Sequence, residues 1–100
     1  MAVLRRLSEV FSALGNEGRL RILQAIKRGT SNPGELSRLL GLPRSTVEKN
    51  IRILARANLL EKKPGLSPKG QLRVYYQQTG LSALLMETAM RLFDEKTSYP

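Results

Sequence analysis

Cysteine, histidine and tryptophan are all missing from the 100 residues. Without cysteine there is no disulfide and no thiolate ligand, and without histidine there is neither an imidazole base nor an imidazole metal ligand. An enzyme would have to work with carboxylates, lysine or tyrosine alone, and the eight acidic residues form no spaced pair in a glycine-rich or apolar setting. The chain therefore reads as non-enzymatic, with no cofactor and no metal. No run of eighteen apolar residues is present, so nothing reads as a membrane span. The opening Met1-Ala2-Val3-Leu4-Arg5-Arg6 lacks a signal peptide's order of basic region, apolar run and cleavage site. A cytoplasmic protein is the expectation. Aromatic residues amount to only 5%, which leaves core filling to aliphatic side chains.

Positive charge is abundant: seventeen Lys and Arg against eight Asp and Glu give a net charge of +9. Such an excess calls for an anionic partner, either nucleic acid or a membrane surface. The length suits a single domain spanning residues 1–100, and 41% apolar with 25% charged residues is an ordinary globular balance.

Periodicity predicts five helices and one hairpin. Val3, Leu4, Leu7, Val10, Phe11 and Leu14 recur at steps of three and four, which predicts a helix over 3–14 ended by a left-handed Gly15. Asn16 is a suitable N-cap for a second helix over 17–28, with a buried stripe of Leu20, Leu23 and Ile26 and with Ile22 on its flank. Asn32-Pro33-Gly34-Glu35 supplies a capping side chain, a proline for the first turn and an acid at the third position, opening a third helix that Gly41 ends. A fourth helix over 43–57 follows after only three or four residues, and a short glycine-containing joint of this kind marks a helix-turn-helix. Residues 59–63 and 72–77 then read as strands joined by a seven-residue tip, 64–70, with two prolines and two glycines. A strongly apolar helix over 81–95 completes the chain.

On a helical wheel starting at Arg44, Val47, Ile51 and Leu54 fall at about 300°, 340° and 280°, a narrow apolar stripe. Ser45, Lys49, Arg52 and Arg56 lie on the opposite side, flanked by Thr46, Glu48 and Asn50, and these seven with Arg44 are the candidate DNA contacts of the helix. A helix apolar on one side with this other face can enter a DNA major groove, where Arg and Lys suit guanine edges and Asn suits adenine. From Arg38 to Arg73 there are nine basic residues and two acids, Glu48 and Glu61, a local +7, whereas residues 80–100 carry −1. The charge is concentrated on the helix-turn-helix and hairpin. Ser45-Thr46-Val47-Glu48 also fits a capping box, which would commit Ser45 to its own backbone, with Pro43 as the competing helix start. In the hairpin, Lys62, Lys63, Lys69 and Arg73 can straddle phosphates, reach a minor groove, or serve as edge-strand charges that discourage aggregation. Tyr75 and Tyr76 point to opposite faces, one of them toward the core.

Taken together, Leu14-Gly15-Asn16-Glu17-Gly18-Arg19-Leu20-Arg21-Ile22-Leu23, Gly34-Glu35-Leu36, Leu40-Gly41-Leu42, Ser45-Thr46-Val47 and Arg73-Val74-Tyr75-Tyr76 resemble ArsR-type winged-helix transcriptional repressors. The resemblance spans residues 11–78. It implies a mainly α winged helix-turn-helix fold, a homodimer built from the first and last helices, a recognition helix at 43–57, a basic wing at 59–78 and a palindromic operator. Many members sense metals or arsenite through Cys, His and carboxylate ligands. With neither Cys nor His present, no effector carries over, and Asp94 and Glu95 read as solvated charges.

The last helix is apolar around more than half its circumference, which invites a partner helix. Leu4, Leu7 and Phe11 of the first helix and Leu81, Leu84, Leu85, Met86, Met90 and Phe93 of the last are the candidate dimer contacts. Double-stranded DNA and a second copy are thus the expected partners, and no membrane. Two further readings stay open: an architectural protein coating duplex DNA without sequence choice, and a winged-helix module for protein contacts.

Overall fold

The computed structural model describes residues 2–94, arranged as α1 (Ala2–Leu14), α2 (Glu17–Lys27), α3 (Pro33–Leu40), α4 (Arg44–Arg56), β1 (Leu60–Leu66), β2 (Leu72–Gln78) and α5 (Gly80–Leu92). Each expected element is present. The α1–α2 corner differs in one detail, because Gly15 is not left-handed. Its N–H donates to the Phe11 carbonyl at 2.9 Å, and Asn16 then accepts from the Arg19 N–H at 3.0 Å to cap α2. A turn of ordinary backbone, tied by the Asn16 side chain, does what a left-handed glycine would have done.

The other helix boundaries follow the local chemistry. Asn32 Oδ1 accepts from the N–H groups of Gly34 and Glu35 at the start of α3. Gly41 ends α3 at φ 66°, a left-handed conformation that glycine adopts without a side-chain clash. At the end of α4, Asn58 takes φ 61°, and Thr79 Oγ1 donates to its carbonyl at 2.7 Å. Helix α5 begins one residue earlier than expected and stops at Leu92. Glu95 lies outside the described residues.

The core is small and almost wholly aliphatic. Ile22, Leu23, Ala25 and Ile26 of α2 meet Leu36 of α3, Val47, Ile51 and Leu54 of α4, and Leu59 and Leu60 at the base of the hairpin, with Val10 and Ala13 closing one side. Ile22, expected on a flank, is fully buried, whereas Leu20, expected in the stripe, is only half-buried. The α2 face that meets both α3 and α4 is centred on Ile22–Leu23–Ala25–Ile26. Leu20 is left on the side turned to α5, where it borders a shallow apolar groove with Met86, Met90 and Phe93.

The hairpin is longer and its turn tighter than the sequence suggests. β1 and β2 pair antiparallel from Leu60 opposite Gln78 to Leu66 opposite Leu72. Pro64, Gly65 and Leu66, expected in the loop, therefore belong to the strand, and only residues 67–71 turn. Pro64 is tolerated because β1 has a single neighbour and needs no N–H on its open side. The turn is closed by Ser67, whose N–H donates to the Gln71 carbonyl and whose carbonyl accepts from the Gly70 N–H, each at 2.8 Å. On its other edge β2 is held to the start of α3: Tyr76 N–H donates to the Ser31 carbonyl at 3.0 Å, and Asn32 Nδ2 donates to the Val74 carbonyl at 3.3 Å.

Asn32 thus caps one element and ties down another. Asn32→Ala is expected to lower the unfolding free energy by about 1–2 kcal/mol, the usual worth of an N-cap with an added hydrogen bond. Asn32→Asp, which keeps the capping oxygen but not the amide donor, should recover the larger part. Urea unfolding of the three proteins measures this.

Candidate nucleic-acid interface

Pro43 precedes α4 at φ −57°, and its carbonyl accepts from the N–H groups of Thr46 and Val47 at 3.0 and 3.1 Å. No side chain caps this helix. The Ser45–Glu48 capping box is therefore not formed, and Pro43 sits just before the first helical residue. Glu48 pairs instead with Arg44, Nε to Oε1 at 3.3 Å. Ser45 stays exposed, as do Lys49, Arg52 and Arg56, while Thr46 and Glu48 are half-buried. Val47, Ile51 and Leu54 turn inward as the wheel predicts.

Asn50 departs from that face. Its Oδ1 accepts from Arg19 Nη1 at 3.2 Å, so its amide lies against α2 rather than among the exposed cations. The same guanidinium donates from Nε to the Ala13 carbonyl at 2.6 Å and from Nη2 to the Ser12 carbonyl at 3.3 Å. Arg19 therefore satisfies two carbonyls at the end of α1 and holds α4 from the side. Sequence reasoning missed this contact. Arg19 figured only as one residue of the Leu14–Leu23 segment, and its partners lie six, seven and thirty-one residues away.

Four of the cations share one hollow. Arg44 and Arg52 of α4, with Lys62 and Arg73 of the hairpin, border a hollow of about 370 Å³ that also touches Asn32, Pro33, Glu48, Ile51, Leu72, Val74 and Tyr76. Arg44 and Arg73 also border a smaller cleft of about 220 Å³ with Arg38, Glu35, Ser67 and Tyr75. Arg38 is thus a member of this surface that sequence reasoning counted as charge without placing. Arg56 lies apart, beside a third hollow lined by Ser8, Glu9 and Ser12 of α1. Lys63 shares the hairpin face of Tyr75, opposite to that of Lys62, and Lys69 sits exposed in the turn. Tyr76 packs on the core, whereas the Tyr75 ring covers Gly65 so closely that a Cβ there would lie 2.9 Å from it.

Among the candidate dimer contacts, Leu4, Leu7, Phe11, Leu81, Leu84, Met90 and Phe93 are exposed, Phe93 to 87%. Leu85 and Met86 differ: both are half-buried against this chain's own core. Among the described residues no helix is long and apolar enough to cross a membrane, and no three acidic side chains converge as metal ligands would.

A family model described as a helix-turn-helix domain matches residues 14–63, from the end of α1 through α4 into β1. No curated protein is significantly similar in sequence. Among solved structures the chain is similar to a 100-residue fragment of a possible transcriptional regulatory protein from Mycobacterium bovis, at 26% identity and TM-score 0.77, covering 94% of this chain and 97% of that one. It is similar to HlyU from Vibrio cholerae at 26% identity and TM-score 0.73, covering 89% and 92%. A solution structure from M. bovis, a homodimeric winged helix-turn-helix DNA-binding domain of a possible ArsR-family transcriptional regulator, aligns at 24% identity and TM-score 0.74, covering 99% and 92%.

Arg19 replaced by alanine leaves the Ser12 and Ala13 carbonyls and the Asn50 amide without their partner. A loss of about 1–3 kcal/mol in unfolding free energy is expected, the range for deleting a charged donor from part-buried acceptors. Lysine, which lacks the planar fork, should restore only part of it. Thermal and urea unfolding of Arg19→Ala and Arg19→Lys against the parent check both statements.

Proposed function

The chain belongs to the helix-turn-helix domain family, and on that premise we propose that it is a winged regulator of the ArsR type, acting as a dimeric, sequence-specific DNA-binding repressor of transcription. The observation that carries this reading is the convergence of Arg44 and Arg52 with Lys62 and Arg73 around one hollow between α4 and the hairpin. A duplex backbone fits that arrangement. Helix α4 enters the major groove, and the strand of phosphates beside it runs between helix and wing. Neutralised phosphates supply most of the affinity, and Ser45, Lys49 and Arg52, exposed on the outer face of α4, supply the choice of sequence.

Two copies are joined through α1 and α5. The support is the row of exposed apolar side chains on both helices, among them Leu4, Phe11, Leu84 and Phe93. The homodimeric M. bovis domain of the same fold is consistent with it. A two-fold pair places two copies of α4 on successive turns of the duplex, about 34 Å apart, and so reads a palindrome. Repression, rather than activation, rests on the likeness to ArsR-type repressors.

Selection of bound duplexes from a random pool at physiological salt tests the whole reading, because it reports specificity, half-site spacing and symmetry at once. Recovery of no preferred sequence would leave an architectural coating protein. Lys49→Ala and Arg52→Ala are each expected to lose about 1–3 kcal/mol at the selected site, whereas Lys62→Ala and Lys63→Ala should weaken all duplexes alike and flatten the dependence of affinity on salt. Leu84→Asp or Phe11→Asp places a charge in the proposed dimer seam. Sedimentation should then give a monomer where the parent gives a dimer, with affinity for the palindrome reduced at least tenfold as bivalent contact is lost.

A further inference from the structure

The face of the hairpin that rests on the core keeps its apolar character after the core has ended. Leu60, Lys62, Pro64 and Leu66 of β1 share this face with Tyr76, Val74 and Leu72 of β2. Along it, exposure climbs from 3% at Leu60 through a half-buried Tyr76 to 37% at Val74, 68% at Leu66 and 78% at Leu72. The last two sit directly opposite one another at the tip. A cross-strand pair steadies a hairpin by less than about 1 kcal/mol, which two polar β-formers could match without exposing leucine to water. The inner side of this face, Val74 and Leu72, looks into the hollow bordered by Arg44, Arg52 and Lys62. No acidic residue occurs from Lys62 to Met86, so the hairpin beyond Glu61 offers nothing to repel a polyanion. A second copy of the chain seated here would bring like charges together. The occupant must be apolar and polyanionic at once, and a nucleic-acid backbone has that alternation, with carbon-rich sugars between phosphates.

Building on the regulator reading above, we propose that Leu66, Leu72 and Val74 form an apolar seat for deoxyribose rings at the minor-groove rim of a duplex whose phosphates are held by Arg44, Lys62 and Arg73. The wing then contributes affinity in two physically separable ways. Its cations release counterions and make binding salt-dependent, whereas its leucines bury sugar C–H surface and add an increment that salt does not screen.

The test compares the parent with Leu66→Ser/Leu72→Ser and with Leu72→Ser alone, on the duplex recovered by selection. Both side chains are exposed, so the melting temperature should hold. The double variant is expected to bind about tenfold more weakly, with an unchanged slope of log affinity against log salt, and the single variant should fall between. Hydroxyl radicals attack deoxyribose hydrogens along the minor-groove rim. The double variant should lose protection from them beside each half-site, while guanine N7 stays protected from methylation under α4. Parent-like affinity and an unaltered sugar footprint in the double variant would overturn the seat and leave the regulator reading standing. A weaker affinity with a shallower salt slope would also overturn it, since phosphate contacts would then have been lost. So would a drop in self-association without DNA, which would make this face a contact between copies. If the parent protects no duplex at all, the regulator reading fails first and takes the seat with it.

Discussion

The direction in which α4 presents its cations is set by three aliphatic side chains on its other side. Val47 and Leu54 are fully buried and Ile51 nearly so, packed in one cluster with Ile22, Leu36 and Leu59. Removing any one of them would cost about 2–5 kcal/mol. Turning the helix by even one residue's worth would lift this stripe out of the core and drive Glu48 and Arg52, or Thr46 and Asn50, toward it. The outer face is therefore a consequence of inner packing rather than of its own interactions. Of the polar contacts on α4, the exposed Arg44–Glu48 pair is worth little. Arg19 is different, because it grips Asn50 from one side and the end of α1 from the other. It joins α4 to a helix of the proposed dimer seam through a single side chain.

Charge on the hairpin is divided by the pleat. Lys62 faces the hollow beside α4, while Lys63 stands on the opposite face with Tyr75. In the hollow four cations, Arg44, Arg52, Lys62 and Arg73, oppose one carboxylate, Glu48, a surplus of three. Two of those cations belong to a helix locked by the core. The other two belong to a hairpin tied to the start of α3 by the Tyr76–Ser31 and Asn32–Val74 hydrogen bonds. The surface is thus held in shape before any partner arrives, so little ordering entropy need be lost on binding.

Local signals made the helices legible. Asn16, Asn32 and Gly41 act where the sequence places them, and the apolar spacing of α4 predicts its buried stripe residue by residue. Most of what failed was decided by long-range contacts. Pro64 and Gly65 look like loop residues, yet an edge strand accepts the proline and the Tyr75 ring lies over the glycine. The Ser45–Glu48 box was a sound local motif that lost to Pro43, after which the helix starts at Arg44, two residues too early for Ser45 to cap it. Asn50 sits on the flank of the exposed face by the wheel alone, but an arginine thirty-one residues earlier turns it aside. Arg38 was legible as charge but not as a neighbour of Arg44 and Arg73, because only the folded chain brings α3 beside the wing and its turn.

Helix α5 shows what a single chain leaves unfinished. Of its thirteen residues only Ser82 is fully buried, and the cap from Thr79 Oγ1 to the Ser82 N–H and the Gln78–Ser82 hydrogen bond secure its first turn. Leu85 and Met86 lean on the core, but Leu81, Leu84, Met90, Leu92 and Phe93 face outward. Isolated helices of this length are marginal in water, and their stability in proteins comes from packing an apolar face. In the proposed dimer that face is packed by the partner copy, so association stabilises α5 as well as pairing the two reading helices. Binding and folding are then linked by mass action. A palindromic duplex, by favouring the proposed pair over the single chain, would tighten a helix that borders neither hollow lined by Arg44 and Arg73.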